Sequence, residues 1–191
     1  MPMLPTRRSV RLKDFDYSSE GAYFFTICVQ DRRDILGDVV DGAMRMWMEG
    51  QMVREVWDGL GDRFSTVWTD AFIVMPNHVH GIVVLGVGDG VGSPNQAVGG
   101  VASAMNRAPT AGFADGQRAT GEGPTLGEVV RVFKAVSTRR IRDVGDESFG
   151  WQRNYYERVI RDERELGRAR AYIEGNAVKW AEDAENPRVQ G

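Results

Sequence analysis

Hydrophobic positions along the chain change period several times, and each change marks an element. Ala22-Tyr23-Phe24-Phe25-Thr26-Ile27-Cys28-Val29-Gln30 is rich in aromatic and β-branched residues, which suits a central strand. Asp31-Arg32-Arg33-Asp34 turns the chain, and Asp41-Gly42, between Val39 and Met48, gives a weak hairpin signal. From Glu49, residues Met52, Val53, Val56, Trp57 and Leu60 recur at helical spacing, which predicts a helix ending near Gly59 or Gly61. Val67 to Met75 and His78 to Leu85 read as strands, joined at Pro76-Asn77 into an antiparallel hairpin. Leu126, Val129, Val130, Phe133, Val136 and Ile141 form the buried stripe of a second helix, opened by Thr125 with Glu128 completing a capping box. Tyr155-Tyr156-Glu157-Arg158-Val159-Ile160 predicts a further strand. Asp162 then caps a third helix running to about Gly175 and, bent, on through Lys179-Trp180.

The first six of these elements run strand, helix, strand, strand, helix, strand. That order is the split βαβ unit of a ferredoxin-like fold, and it predicts an α+β protein with an antiparallel sheet and its helices on one face. A chain of 191 residues suits a single domain. Residues 1–20 read as a basic arm. Residues 86–124, rich in Gly, Ala, Ser, Asn and Pro, read as a flexible insertion. The run Gly86-Val87-Gly88-Asp89-Gly90-Val91-Gly92 lacks the spacing of a dinucleotide loop, and no helix follows it directly.

Composition narrows the classes. No apolar run approaches a membrane span, and the N-terminus has basic residues without the apolar core of a secretory signal. Cys28 is the single cysteine, which fits a reducing cytoplasm. The net charge of −3 does not advertise a nucleic-acid partner, but the charges are segregated. Arg7, Arg8, Arg11 and Lys13 precede any acid, and Arg131, Lys134, Arg139, Arg140 and Arg142 form a second basic block. The basic residues of the second helix lie largely away from its buried stripe, so it can pack and still present cations.

Both histidines of the protein stand in Met75-Pro76-Asn77-His78-Val79-His80-Gly81-Ile82-Val83. Two apart on a strand, His78 and His80 point to the same face, as a two-toothed grip on a divalent ion does. Surface histidine pairs on strand ends share that spacing. There is no third histidine and Cys28 lies on another strand, so a zinc site of the usual Cys/His kind does not fit. Two imidazoles completed by oxygen suit Mg²⁺ or Mn²⁺. No G-x-S-x-G elbow is present, which leaves Ser, Thr and Tyr as nucleophile candidates. Tyr172 and Asn176, i and i+4, share a helix face, where a hydroxyl and an amide oxygen can approach a phosphate together. A lone helical tyrosine is also a common core residue.

Together with the histidine motif, Trp151-Gln152-Arg153-Asn154-Tyr155-Tyr156-Glu157, Ile160-Arg161-Asp162 and Ala171-Tyr172-Ile173-Glu174-Gly175-Asn176 stand in an order that resembles the REP-associated tyrosine transposases, of the single-tyrosine HUH superfamily. Arg7-Arg8-Ser9-Val10-Arg11-Leu12-Lys13 and the strand Gly21 to Cys28 extend the resemblance to nearly the whole chain apart from 86–124. It implies an HUH endonuclease core that acts on single-stranded hairpin DNA. His78 and His80 would bind the divalent metal, and Asn176 would stand where the superfamily has a polar third ligand. Tyr172 would attack a phosphodiester, leaving a 5′-phosphotyrosine link and a 3′-hydroxyl. Arg7, Arg8, Arg11, Lys13, Arg131, Lys134, Arg139 and Arg140 are the matching phosphate-contact candidates.

Two positions depart from the family. Arg158 stands where His often follows the Tyr-acid pair, and Ala177 stands where Pro often follows the helical Asn. Tyr155 and Tyr156 are the rival nucleophiles. The alternatives in function are a catalytically silent or domesticated hairpin-binding protein and an unrelated metal-dependent hydrolase that uses water. The resemblance allows a monomer or a homodimer.

Overall fold

A computed structural model describes residues 19–86, 123–182 and 186. The basic arm, with Arg7, Arg8, Arg11 and Lys13, and nearly all of the 86–124 insertion lie outside the described residues. Strands β1 (Gly21–Cys28), β4 (Val67–Val74), β5 (His78–Leu85) and β6 (Tyr156–Ile160) form one sheet in the order β4-β5-β1-β6. Every neighbouring pair is antiparallel. With helix α1 (Met48–Asp58) between β1 and β4, and α2 (Leu126–Asp143) between β5 and β6, this is the ferredoxin-like arrangement expected from the element order. A small hairpin, β2 (Gly37–Val40) and β3 (Ala43–Met46), precedes α1. Its two turn residues, Asp41 and Gly42, both have positive φ (54° and 74°), as the tight turn that joins twisted strands requires.

The pleat divides the core in two. On one face Tyr23, Phe25 and Ile27 of β1 and Val79, Val83 and Leu85 of β5 pack with Val53, Val56 and Trp57 of α1 and Val129, Val130 and Phe133 of α2. On the other, Ala22, Ile82, Val84 and Ile160 meet Leu166 and Ile173 of helix α3 (Glu163–Glu174). The two core helices thus share one face as expected, and α3 covers part of the other. β5 is buried at all eight positions, because it is central and covered on both faces, and its sequence accordingly runs apolar after the histidines.

Local chemistry sets the helix ends. The Glu128 N–H donates to Thr125 Oγ1 (3.2 Å) and the Thr125 N–H donates to Glu128 Oε2 (2.8 Å), the reciprocal capping box of α2. Asp162 Oδ1 accepts from the Glu165 N–H at 2.7 Å and starts α3. α3 stops at the Gly175 cap. Residues 175–179 form turns and a 3-10 turn follows at Trp180–Glu182, so Asn176 sits in the turn just past the helix.

A bulge in β4 ties α3 down. Thr69 pairs with Val83 but Phe72 with Gly81, so one extra residue is accommodated at Asp70-Ala71. Asp70 accepts a two-pronged pair of hydrogen bonds from Arg170 of α3. Burial pushes the Asp70 carboxyl up, but the Arg170 hydrogen bond, the Ala71 N–H and the Arg170 charge outweigh it, and the carboxyl lies below its usual range. Among the described residues no helix is long and apolar enough to cross a membrane.

Gly81 is the tightest point under the aromatic core. A Cβ there would lie 2.7 Å from Phe25 Cζ and 3.0 Å from Phe72 Cδ2, and both rings pack against Trp57. Gly81→Ala is expected to destabilise the fold by about 1–3 kcal/mol in urea titration, since overpacked cores cannot absorb a methyl group. Gly167→Ala, on exposed α3 with nothing within 4 Å, should stabilise by about 0.5–1 kcal/mol. Equal effects at the two sites would contradict this packing.

Candidate active site

The site is built from three consecutive strands of the sheet and the helix that crosses them. Thr26 of β1 is in register with His80 of β5 on one side and with Tyr156 of β6 on the other. Cross-strand partners share a face, so these three side chains form a row on the α3 side. His78, two residues before His80, shares that face.

The two imidazoles meet through their Nε2 atoms, 3.0 Å apart. Each ring is held from behind through Nδ1. Asn77 donates from Nδ2 to the Arg32 carbonyl (3.3 Å), which turns its Oδ1 towards His78 Nδ1 at 2.9 Å. An amide oxygen can only accept, so His78 carries its proton on Nδ1 and turns a bare Nε2 to its neighbour. The 3.0 Å contact with the bare His78 Nε2 is a hydrogen bond when His80 Nε2 carries the proton, and His80 Nδ1 shares a 2.8 Å hydrogen bond with the Thr26 hydroxyl. Phe24 stacks on His80 (centroids 5.5 Å, 26°), and Trp180 leans on His78 (5.8 Å, 39°).

Asn77, His78 and His80 are buried. Burial, helped by the Arg32 charge, pushes the His78 pKa down to about 3. His78 is therefore neutral at physiological pH, with its Nε2 lone pair turned to His80.

Tyr172 reaches this pair from α3. Its hydroxyl lies 3.5 Å from His80 Nε2, its ring is 5.2 Å from the His80 ring, and nearly half of the residue is exposed. Asn176 is buried, and its Oδ1 has no hydrogen-bond partner among the described residues. A buried amide oxygen left without a donor costs on the order of 1–3 kcal/mol. Among the described residues no three His, Cys, Asp or Glu side chains come together as a metal-binding group.

The structure thus brings His78, His80 and Tyr172 together. It separates the rivals. Tyr155 packs against the α1/α2 core on the opposite face, with Lys134 Nζ 5.2 Å from its ring centre. Tyr156 is exposed on β6 and its ring meets Phe24. The cations of α2 are also across the sheet from the histidines. Lys134 donates to the Gln152 and Arg153 carbonyls, and burial lowers its pKa to about 8. Arg140 pairs with Glu55, Arg139 with Asp143, and Arg131 is exposed. Arg158, one of the two departures, pairs with Glu165 at 2.8 Å. Ala177, the other, is buried beside Met75 and Trp180.

Sequence reasoning missed the supports: Thr26, Asn77, Phe24 and Trp180. Asn77 carried a signal, since it directly precedes His78, but a Pro-Asn pair reads first as a turn. Thr26 is a polar residue in the aromatic strand, and its partner became visible only through the β1–β5 register.

In the metal-free protein, His78 should not titrate in a two-histidine NMR spectrum between about pH 8 and pH 5. The sign is fixed by the lowered pKa. The unfolded chain takes up a proton below about pH 6.5 that the fold refuses, so this contribution to stability is whole above that pH and is lost as pH falls towards about 3. A His78 transition near 6.5 would contradict the burial.

No protein-family model matches the chain. An uncharacterized protein of Haemophilus influenzae (strain ATCC 51907 / DSM 11121 / KW20 / Rd) is 34% identical over 177 residues, which are 93% of this chain and 91% of that protein. Among solved structures, a REP-associated tyrosine transposase bound to a REP hairpin superposes with a TM-score of 0.55 at 19% identity, over 89% of this chain and 74% of that one. At that identity the likeness is one of fold, and it covers the antiparallel sheet and its packed helices. The chain belongs to the family of the Haemophilus influenzae protein, on the fold of a REP-associated tyrosine transposase.

Proposed function

We propose that this protein is a metal-dependent, single-tyrosine endonuclease and strand transferase acting on single-stranded hairpin DNA. The observation that carries the reading is the Tyr172 hydroxyl poised 3.5 Å from one member of a buried histidine pair. The REP hairpin bound by the structural neighbour supports the choice of partner.

The residues fit a divalent ion, Mg²⁺ or Mn²⁺. His78 and His80 would hold it through Nε2, and the Asn176 amide oxygen, buried without a donor, fits a third ligand. Asn77 and Thr26 would orient the two rings from the second layer. When bound, the ion supplies positive charge that stabilises a phenolate and the charge growing on phosphate oxygens.

The chain's own residues do the rest. Tyr172 Oη forms a bond to phosphorus as the bond to the 3′ oxygen breaks. The phenol proton leaves to solvent, to which the half-exposed ring is open, and the departing 3′ oxygen takes up a proton. The product is a 5′-phosphotyrosine and a 3′-hydroxyl, and the same link can be reversed by another 3′-hydroxyl without a further energy source. Phe24, edge-on to Tyr172 at 5.9 Å, and the pairing of Arg170 on the same helix with Asp70 of β4 hold the nucleophile over the sheet. Arg131, Lys134, Arg139 and Arg140, across the sheet, would hold DNA away from the scissile bond, with Arg7, Arg8, Arg11 and Lys13 as further phosphate contacts.

The test is covalent capture. Labelled hairpins with single-stranded flanks, incubated with Mn²⁺, should leave a label on Tyr172 that survives denaturing electrophoresis and is located by mass spectrometry. Chelator or Tyr172→Phe should abolish it. Hairpin binding with no adduct would turn the reading into that of a binding protein, and an adduct that survives Tyr172→Phe would name another nucleophile. In calorimetry, Thr26→Val should weaken Mn²⁺ binding about 10- to 100-fold with the fold intact, as loss of an orienting partner does. Unchanged affinity would remove Thr26 from the site.

A further inference from the structure

We propose that Tyr156, propped by Phe24, is a stacking platform for an unpaired nucleobase beside the phosphodiester presented to Tyr172. This rests on the proposed function and adds to it a binding site for the flank of the cut strand.

The position argues first. β6 is an edge strand of the described sheet, and Tyr156 opens it on the face that carries the histidines. Across that face the register runs Tyr156, Thr26, His80. Phe24 lies one row along and touches three rings: His80 at 5.5 Å, Tyr172 at 5.9 Å and Tyr156 at 6.3 Å. The nucleophile and the platform therefore share a neighbour. Both lean on it edge-on, at 73° and 69°, so Phe24 sets the spacing between them. A strand with its phosphate at Tyr172 brings an adjoining base to Tyr156.

Exposure argues next. α3 covers Ala22, Ile82, Val84 and Ile160 on this face, yet Tyr156 remains 42% exposed. A ring held in place and open to water stabilises the fold little and can accept a flat ligand, and stacking on an aromatic ring is tolerant of base identity. The local charge suits a nucleotide as well. Arg158, two residues along β6 and so on the same face, and Arg168 of α3 both pair with Glu165, at 2.8 and 3.9 Å, so two guanidinium groups stand on this side of the sheet. Tyr172 already occupies the nucleophile's place at His80, so Tyr156 is available for binding.

The experiment uses the full chain and hairpins whose single-stranded flanks carry 2-aminopurine, or an abasic site, at each position in turn. Wild type and Tyr156→Phe should quench the fluorophore at one flank position. Tyr156→Ala should lose that quenching and bind about 5- to 100-fold more weakly. An abasic site at that position should weaken wild type but not weaken Tyr156→Ala further, a coupling that a merely structural tyrosine would not produce. The Tyr172 adduct should still form in Tyr156→Ala, more slowly. Equal quenching and affinity in Tyr156→Ala, with wild-type binding intact, would overturn the platform alone. Loss of the adduct in Tyr156→Phe would make Tyr156 the nucleophile and overturn both readings. A wild-type protein that binds none of these hairpins would overturn the proposed function and the platform with it.

Discussion

Two imidazoles are buried on a strand covered on both faces, and much of the rest of the site answers to that constraint. A buried polar ring must find partners or cost the fold on the order of 1–3 kcal/mol per unsatisfied group. Here the partners come from three directions: the Asn77 amide from the preceding turn, the Thr26 hydroxyl from the next strand, and each ring from the other. Aromatic neighbours, Phe24 and Trp180, exclude water from both rings. The result is a buried, hydrogen-bonded pair of rings in which His78 is held neutral.

The second constraint is on the helix that carries Tyr172. α3 buries Leu166 and Ile173 on its sheet side, a modest apolar stripe. Its position is fixed further by Arg170, whose planar guanidinium matches the Asp70 carboxylate on two prongs. That carboxylate is aimed there by the bulge in β4, so an irregularity in one edge strand fixes the pose of a helix that crosses towards the other. The helix is thus anchored near its middle, while Tyr172 projects near its end, half exposed. Tyr172 is oriented by the fold and still open to solvent, as the proposed role of nucleophile requires.

The face opposite serves a different purpose. α1 and α2 bury a large aromatic and aliphatic cluster there, with Trp57 stacked on Phe72 at 4.3 Å and Phe133 edge-on to both. This cluster presses on Gly81, the residue next to His80. Packing on the opposite face therefore stiffens the strand that carries the histidine pair. Tyr155 and Lys134 belong to this blind side, which is why two adjacent tyrosines, Tyr155 and Tyr156, end in such different surroundings.

Much of this was readable from residue order alone. Period-two and helical spacing located the strands and helices, Thr125 and Asp162 announced the helix starts, and His78 with His80 announced a shared face, because these are local properties of a polymer with fixed pleat and pitch. Where Tyr155, Tyr156 and Tyr172 lie relative to the histidines was left to tertiary structure. So were the partners Thr26, Asn77 and Trp180, the bulge that delivers Asp70 to Arg170, and the placing of α3 opposite the α2 cations. The reason is physical. Each depends on which strand lies beside which and in what register, and those pairings join residues far apart in the chain, from Thr26 with His80 to Asp70 with Arg170, where local spacing carries no information.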